Sequence, residues 1–271
     1  MEITIVGMGN MGKAFAKRAA AQGFEVLWWN RTREKVKEAP GRPIAKLEEA
    51  KGLAVVFVAD DQALHSVAPH LGGDYIALAG TYSVDGARRA LELLKARGKK
   101  AFAMPVVGSP RNVENGDAIY IVGAPDDVYI KVRPVLEKFG TILHVGNDIN
   151  AVVLKLAYNA FLISTVAVLG EALALVGKYG INPDVFKELL SLTVFKDVAA
   201  RYIDRMLGHA PPTFTVKNAA KDMRYASLAA GEAEVGNVAI SGVKALYEIL
   251  TAMGRGEEDY AKAGVLESRH D

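Results

Sequence analysis

Ile3-Thr4-Ile5-Val6-Gly7-Met8-Gly9-Asn10-Met11-Gly12-Lys13 decides the reading of this chain. Four β-branched residues form a short strand, and an Ala-rich helix follows from about Lys13 to Gln22. Between them lies G-x-G-x-x-G, which carries meaning when it joins a strand to a helix. Gly7 permits the tight turn, Gly9 lets a pyrophosphate approach the backbone, and Gly12 lets helix and strand pack closely. The free N–H groups and dipole of the helix N-terminus suit an anion. Gly7, Met8, Gly9, Asn10, Met11 and Gly12 are therefore expected to cradle a dinucleotide.

Outward from this loop the first half continues to alternate. Gly23 ends the helix and Glu25-Val26-Leu27-Trp28-Trp29 is the next strand. Ala54 to Val58 is continuously apolar, as a strand buried on both faces should be. Tyr75–Leu78, Lys100–Ala103, Ala118–Val122 and Ile142–Val145 complete the strand candidates. Strands separated by helical stretches indicate βαβ units and a mostly parallel, doubly wound sheet.

The character changes near Gly146. Residues 150–178 read as one helix, about 40 Å long at the usual rise. Pro183 to Leu192, a stretch ending near Leu207, Val216 to Ala230 and Gly236 to Met253 also read helical. Pro211-Pro212 marks a loop. The expected architecture is α/β: a Rossmann-type domain over residues 1–147, then an all-α domain over 148–271 entered by a long helix.

Composition narrows the partners. Across 271 residues, 33 Lys and Arg against 31 Asp and Glu leave a net charge of +2. That balance gives no case for nucleic acid or an anionic membrane. With no Cys, disulfides, Cys-ligated zinc and thiol catalysis are excluded. The five His, at 65, 70, 144, 209 and 270, lack metal-ligand spacing, so no metal is expected. The N-terminus has no basic leader, and the longest uncharged helical stretch, between Lys155 and Glu171, is 15 residues. A span needs about 20, so the stretch reads as core or subunit interface, in a cytoplasmic chain.

The end of the second strand bears on cofactor choice. An acid there would bond the NAD ribose. This chain has Asn30-Arg31-Thr32-Arg33, 18 residues beyond Gly12. Arg31 can pair with a 2′-phosphate, and Asn30 and Thr32 can donate to it, so NADP is expected over NAD.

Further stretches, read in order, resemble the β-hydroxyacid dehydrogenase family over nearly the whole chain. The glycine loop matches its G-x-G-x-M-G form. Val58-Ala59-Asp60-Asp61 resembles its V-S-D-D variant, and the resemblance implies that Val58 and Ala59 line the cofactor. Gly80-Thr81-Tyr82-Ser83 matches S-T-x-S with Gly80 for the first Ser, which implies that Thr81 lines the nicotinamide ribose. Ala103-Met104-Pro105-Val106-Val107-Gly108-Ser109 is an altered copy of the substrate loop. In the family a serine hydroxyl and backbone amides there meet the substrate carboxylate. Val107 now holds the serine position, and Ser109 stands two places later. Val107, Gly108 and Ser109 are therefore candidate substrate residues.

Gly146, Lys155 and Asn159 meet the catalytic pattern, with Lys155 and Asn159 one helical turn apart. Oxidising an alcohol requires taking the hydroxyl proton as hydride leaves carbon. A Lys in an apolar cleft can have its pKa lowered enough to serve, and Asn159 can hold substrate without adding charge. Lys221-Asp222-Met223 resembles the family's K-D-L signature, which implies that Lys221 lies near substrate and cofactor. The implied activity is hydride transfer between NADP and a short carboxylated 3-hydroxy acid, of the L-serine or 3-hydroxyisobutyrate type. Reduction of a small aldehyde such as glyoxylate or a semialdehyde is the alternative. A non-catalytic NADP sensor is the alternative of another class. The long apolar helix suggests a homodimer or homotetramer.

Overall fold

The computed structural model describes residues 2–208 and 212–267. Of the sequence features above, His209, Pro211 and His270 lie outside the described residues. Two compact units divide the chain at Met1–Lys155 and Leu156–Asp271.

In the first unit six parallel strands follow the order β3-β2-β1-β4-β5-β6. They are β1 (Glu2–Val6), β2 (Glu25–Trp29), β3 (Arg42–Pro43), β4 (Leu53–Val56), β5 (Tyr75–Leu78) and β6 (Lys100–Ala103). The order reverses between β1 and β4, and the crevice outside their carboxyl ends is where such a sheet takes its ligand. Ile3, Ile5 and Val6 of β1 and all of β4 are buried, as their continuous apolar character requires. Each fully buried Val or Ile contributes about 1.5–3 kcal/mol relative to exposure. Three helices connect these strands and open beside that edge: α1 (Asn10–Ala21), α2 (Asp61–Val67) and α3 (Val84–Ala96).

The later strand candidates form a sheet of their own. It comprises β7 (Val106–Val107), β8 (Ala118–Val122) and β9 (Gly140–His144), with β7 antiparallel to β8 and β8 parallel to β9. Its helices are α4 (Pro110–Asn115) and α5 (Asp126–Leu136). Phe15 of α1 stacks on Phe139 at 4.3 Å and meets Tyr120 of β8 edge-on at 6.1 Å, which seats this sheet in the same core. β3 and β7, two residues each, escaped the sequence pattern because so short a run shows no periodicity.

The long helix α6 runs Asp148–Lys178, and its first two turns belong to the first unit. The expectation that its apolar stretch is too short to span is corrected: the helix is long and apolar enough to cross a membrane, and only a third of its most apolar window is buried within the chain. Phe161, Val168 and Leu175 are exposed although apolar. The second unit continues with α7 (Pro183–Ser191), α8 (Lys196–Leu207), α9 (Val216–Glu232), α10 (Val238–Leu250) and α11 (Ala263–Glu267). Its closing turn is held by Asp259, which is buried, pairs with Arg205 at 2.6 Å and caps the turn through the Ala261 N–H.

Candidate active site

The first unit presents its loops along the carboxyl edge of the sheet. Gly7 has φ +98°, and a Cβ there would stand 2.6 Å from the Phe57 carbonyl oxygen. At Gly12 a Cβ would meet the Gly7 carbonyl at 1.9 Å, so strand and helix touch where glycine alone fits. Gly9, by contrast, is exposed and opens on free space.

Gly9 is also the N-cap of α1 and supplies no side chain to it. The N–H groups of Asn10, Met11 and Gly12 therefore have no cap, as an N-terminus awaiting an anion should be. α2, α3 and α4 begin differently. Asp60, Ser83 and Ser109 close them with side-chain bonds to Ala63, Gly86 and Asn112. The open α1 terminus, the space above Gly9 and the adjoining switch point fit a dinucleotide pyrophosphate.

Asn30 takes a role that spacing alone did not show. Its Oδ1 accepts the Met8 N–H at 3.0 Å and its Nδ2 donates to the Thr32 carbonyl at 2.9 Å. It thus ties the end of β2 to the glycine loop, with one amide hydrogen left over. Met8 is in the core and its N–H is spent on this bond. Arg31 is exposed and Thr32 half-buried. Further along the edge, Val58 is half-buried and Ala59 exposed.

Thr81 and Lys155 line one small pocket with Leu78, Gly80, Tyr82, Ala103, Pro105 and Val152. Lys155, on the second turn of α6, is 9% exposed, and its Nζ donates to the Val106 carbonyl at 2.6 Å. Tyr82 is buried, and its hydroxyl donates to the carbonyls of Val58 at 3.3 Å and Val56 at 3.4 Å. Burial pushes the Tyr82 pKa far up, so it remains a donor.

The altered substrate loop is resolved by geometry. Ser109 donates its hydroxyl hydrogen to Asn112 Oδ1 at 2.6 Å, its N–H reaches the same oxygen at 2.9 Å, and its Oγ accepts the Asn112 N–H. This is a capping box, legible in principle as Ser-Pro-x-Asn with Pro at the first helical position. Ser109 therefore starts α4 and does not offer its hydroxyl hydrogen in place of the missing serine. Val107 is half-buried in β7 and Gly108 is exposed with φ +142°.

In the second unit Asn159 is 7% exposed, and its Nδ2 donates to Asp222 Oδ2 at 2.6 Å. A carboxylate only accepts, so the amide orientation is forced and Oδ1 faces the other way. Lys221 Nζ stands 2.8 Å from Asp222 Oδ1 and 4.9 Å from the centre of the Tyr225 ring. Asp222, 2% exposed, thus joins two candidate residues. The K-D-L resemblance includes Asp222 but assigns a role only to its lysine.

Comparison with known proteins agrees with these features. Residues 2–146 match the family described as the NAD binding domain of 6-phosphogluconate dehydrogenase. Residues 150–265 match the NAD-binding domain of NADP-dependent 3-hydroxyisobutyrate dehydrogenase. The chain belongs to the β-hydroxyacid dehydrogenase family. Within it, 3-hydroxyisobutyrate dehydrogenase of Pseudomonas aeruginosa is 30% identical over 205 residues, covering 70% of this chain and 68% of its own. Glyoxylate/succinic semialdehyde reductase 1 of Arabidopsis thaliana is 24% identical, over 96% of each chain. The solved 3-hydroxyisobutyrate dehydrogenase of Mycobacterium tuberculosis with L-serine has the same fold, with TM-score 0.84 at 18% identity, over 98% of both chains. As a family member the chain is an oxidoreductase that binds a nicotinamide cofactor.

Proposed function

We propose that this oxidoreductase uses NADP to interconvert a short 3-hydroxy acid and its carbonyl form, with Lys155 carrying the proton. The observation that carries the reading is Lys155 itself. It is buried beside Thr81, and its Nζ donates to the Val106 carbonyl. The α1 N-terminus and Gly9 would hold the pyrophosphate, Arg31 and Thr32 the 2′-phosphate, and Thr81 the nicotinamide ribose. The bound nicotinamide supplies or accepts the hydride. In oxidation the neutral Lys155 amine takes the hydroxyl proton as the carbonyl forms, and in reduction the ammonium returns it. Asn159, its amide fixed by Asp222, accepts a hydrogen bond through Oδ1. The family resemblance makes Lys221, paired with Asp222, the candidate for the substrate carboxylate.

A second reading, the reduction of a small aldehyde acid, is favoured by the substrate loop. Val107 replaces the hydroxyl-bearing residue, and Ser109 is committed to its helix. A smaller substrate needs fewer loop donors, and glyoxylate/succinic semialdehyde reductase 1 is among the relatives. The test is a panel of short hydroxy acids with NADP and NAD, and of the matching aldehydes with NADPH and NADH. Turnover of either set with a preference for the phosphorylated cofactor supports the proposal. Tight cofactor binding without turnover of any member would point to a sensor.

We further read the exposed apolar residues of α6 as a surface covered by a second copy of the chain.

A further inference from the structure

The two acids that open α2 have different tasks. Asp60 turns back on its own helix and caps it through the Ala63 N–H at 2.8 Å. Asp61 instead reaches 22 residues along the chain to the loop that carries Thr81. Its Oδ1 accepts the Ser83 N–H at 3.0 Å, and its Oδ2 accepts the Ser83 hydroxyl at 2.6 Å. Ser83 in turn uses its oxygen to cap α3 at the Gly86 N–H, 2.9 Å away. Gly86 is part of the same arrangement, since a Cβ there would stand 2.4–2.6 Å from the Asp61 carboxyl atoms. His65, one turn further along α2, meets the Gly86 carbonyl at 3.0 Å.

Next to Thr81, the Tyr82 hydroxyl bonds the carbonyls of Val56 and Val58. The segment 80–83 is therefore fastened to the segment 56–61 at the two residues that directly follow Thr81. Ionised acceptors make the strong hydrogen bonds of a protein, so the two bonds to Asp61 dominate this fastening.

We propose that Asp61 is a positioning residue for cofactor binding. By chelating Ser83 through main chain and side chain, it fixes Thr81 and makes the loops after β4 and β5 one rigid wall of the nicotinamide site. This rests on the cofactor reading above, in which Thr81 meets the nicotinamide ribose.

The experiment is NADPH fluorescence titration of the full chain, with melting temperature and steady-state kinetics measured on the same samples. Asp61→Ala and Ser83→Ala should each raise the NADPH Kd about tenfold, the lower end of what charge-assisted hydrogen bonds contribute. Ser83→Ala removes only the hydroxyl bond to Asp61, together with the α3 cap, whereas Asp61→Ala removes both bonds, so the double variant should lose less than the roughly hundredfold that independent sites would give. KM for the cofactor should rise more than kcat falls. The comparator is Thr4→Val. Thr4 is buried in the same unit and bonds both the N–H and the carbonyl of Lys51 at the other edge of the sheet. It should lower the melting temperature and leave Kd unmoved. An unchanged Kd in Asp61→Ala, multiplying effects in the double variant, or an equal rise in Thr4→Val would each overturn the proposal. If Asp61→Ala does not fold, Ser83→Ala is judged alone by the same rise. A wild-type chain that binds no nicotinamide cofactor would strike the underlying reading instead, before any variant is made.

Discussion

Replacing Lys155 by Met tests the chemistry most directly. The Lys side chain is 9% exposed and donates at 2.6 Å to Val106, so its loss has two separable costs. Leaving the Val106 carbonyl without its partner costs about 1–3 kcal/mol of stability, and the similar volume of Met limits any cavity penalty. Losing the proton carrier should lower kcat by roughly 10²–10⁴. NADPH Kd should hardly move if, as proposed, α1 and the glycine loop hold the phosphates. In the wild type, oxidation needs the neutral amine, so its rate should rise with pH to the apparent pKa of Lys155. Reduction needs the ammonium and should lose rate on the alkaline side. Stopped-flow absorbance at the reduced nicotinamide band would follow both directions. In Lys155→Ala, added ethylamine should restore part of the rate, since it re-supplies the amine without repairing the fold. A small loss of kcat, with the pH profile intact and no amine rescue, would show that another group moves the proton. Lys221 would then be the first to test.

Three other outcomes follow from the same geometry. Arg31→Ala should weaken NADP by about tenfold to hundredfold and NAD much less, as isothermal titration would show, and equal losses would remove Arg31 from the 2′-phosphate. Ser109→Ala should cost about 0.5–2 kcal/mol of stability through its lost cap, with substrate KM unchanged, and a raised KM at unchanged melting temperature would return Ser109 to the substrate. Sedimentation at micromolar concentration should show a species larger than the 29.0 kDa chain, and a monomer alone would leave the apolar surface of α6 without the partner assigned to it.

Much of the fold is legible because its signals are local. The strand, the three glycines and the start of the helix fall within eleven consecutive residues, Ile3 to Lys13, so steric necessity is written in order. The apolar run ending in β4 likewise names itself, since a strand buried on both faces has no polar side to show. The site is less legible, because its bonds join residues far apart in sequence. Asp61 and Ser83 are separated by 22 residues, and Asn159 and Asp222 by 63. No periodicity marks such pairs, and either acid alone reads as a solvated helical charge. Ser109 is the opposite case. Its capping pattern was in plain sight, but the family resemblance directed attention to substrate. The surface of α6 also depends on what surrounds it, and an apolar helix looks alike whether a neighbouring helix or another chain covers it.

Gly80 and Tyr82 constrain how this protein can change. A Cβ at position 80 would lie 2.4 Å from the Tyr82 hydroxyl oxygen and 2.9 Å from the Val58 carbonyl oxygen. A serine at 80 and the present placement of Tyr82 therefore exclude one another. Any mutational route between this loop and one that begins with serine has a fixed order. The ring at 82 must be reduced before the side chain at 80 can grow, and in the other direction the glycine must come first. Libraries that enlarge position 80 first will find that door shut, whereas those that first reduce the ring at 82 will find it open.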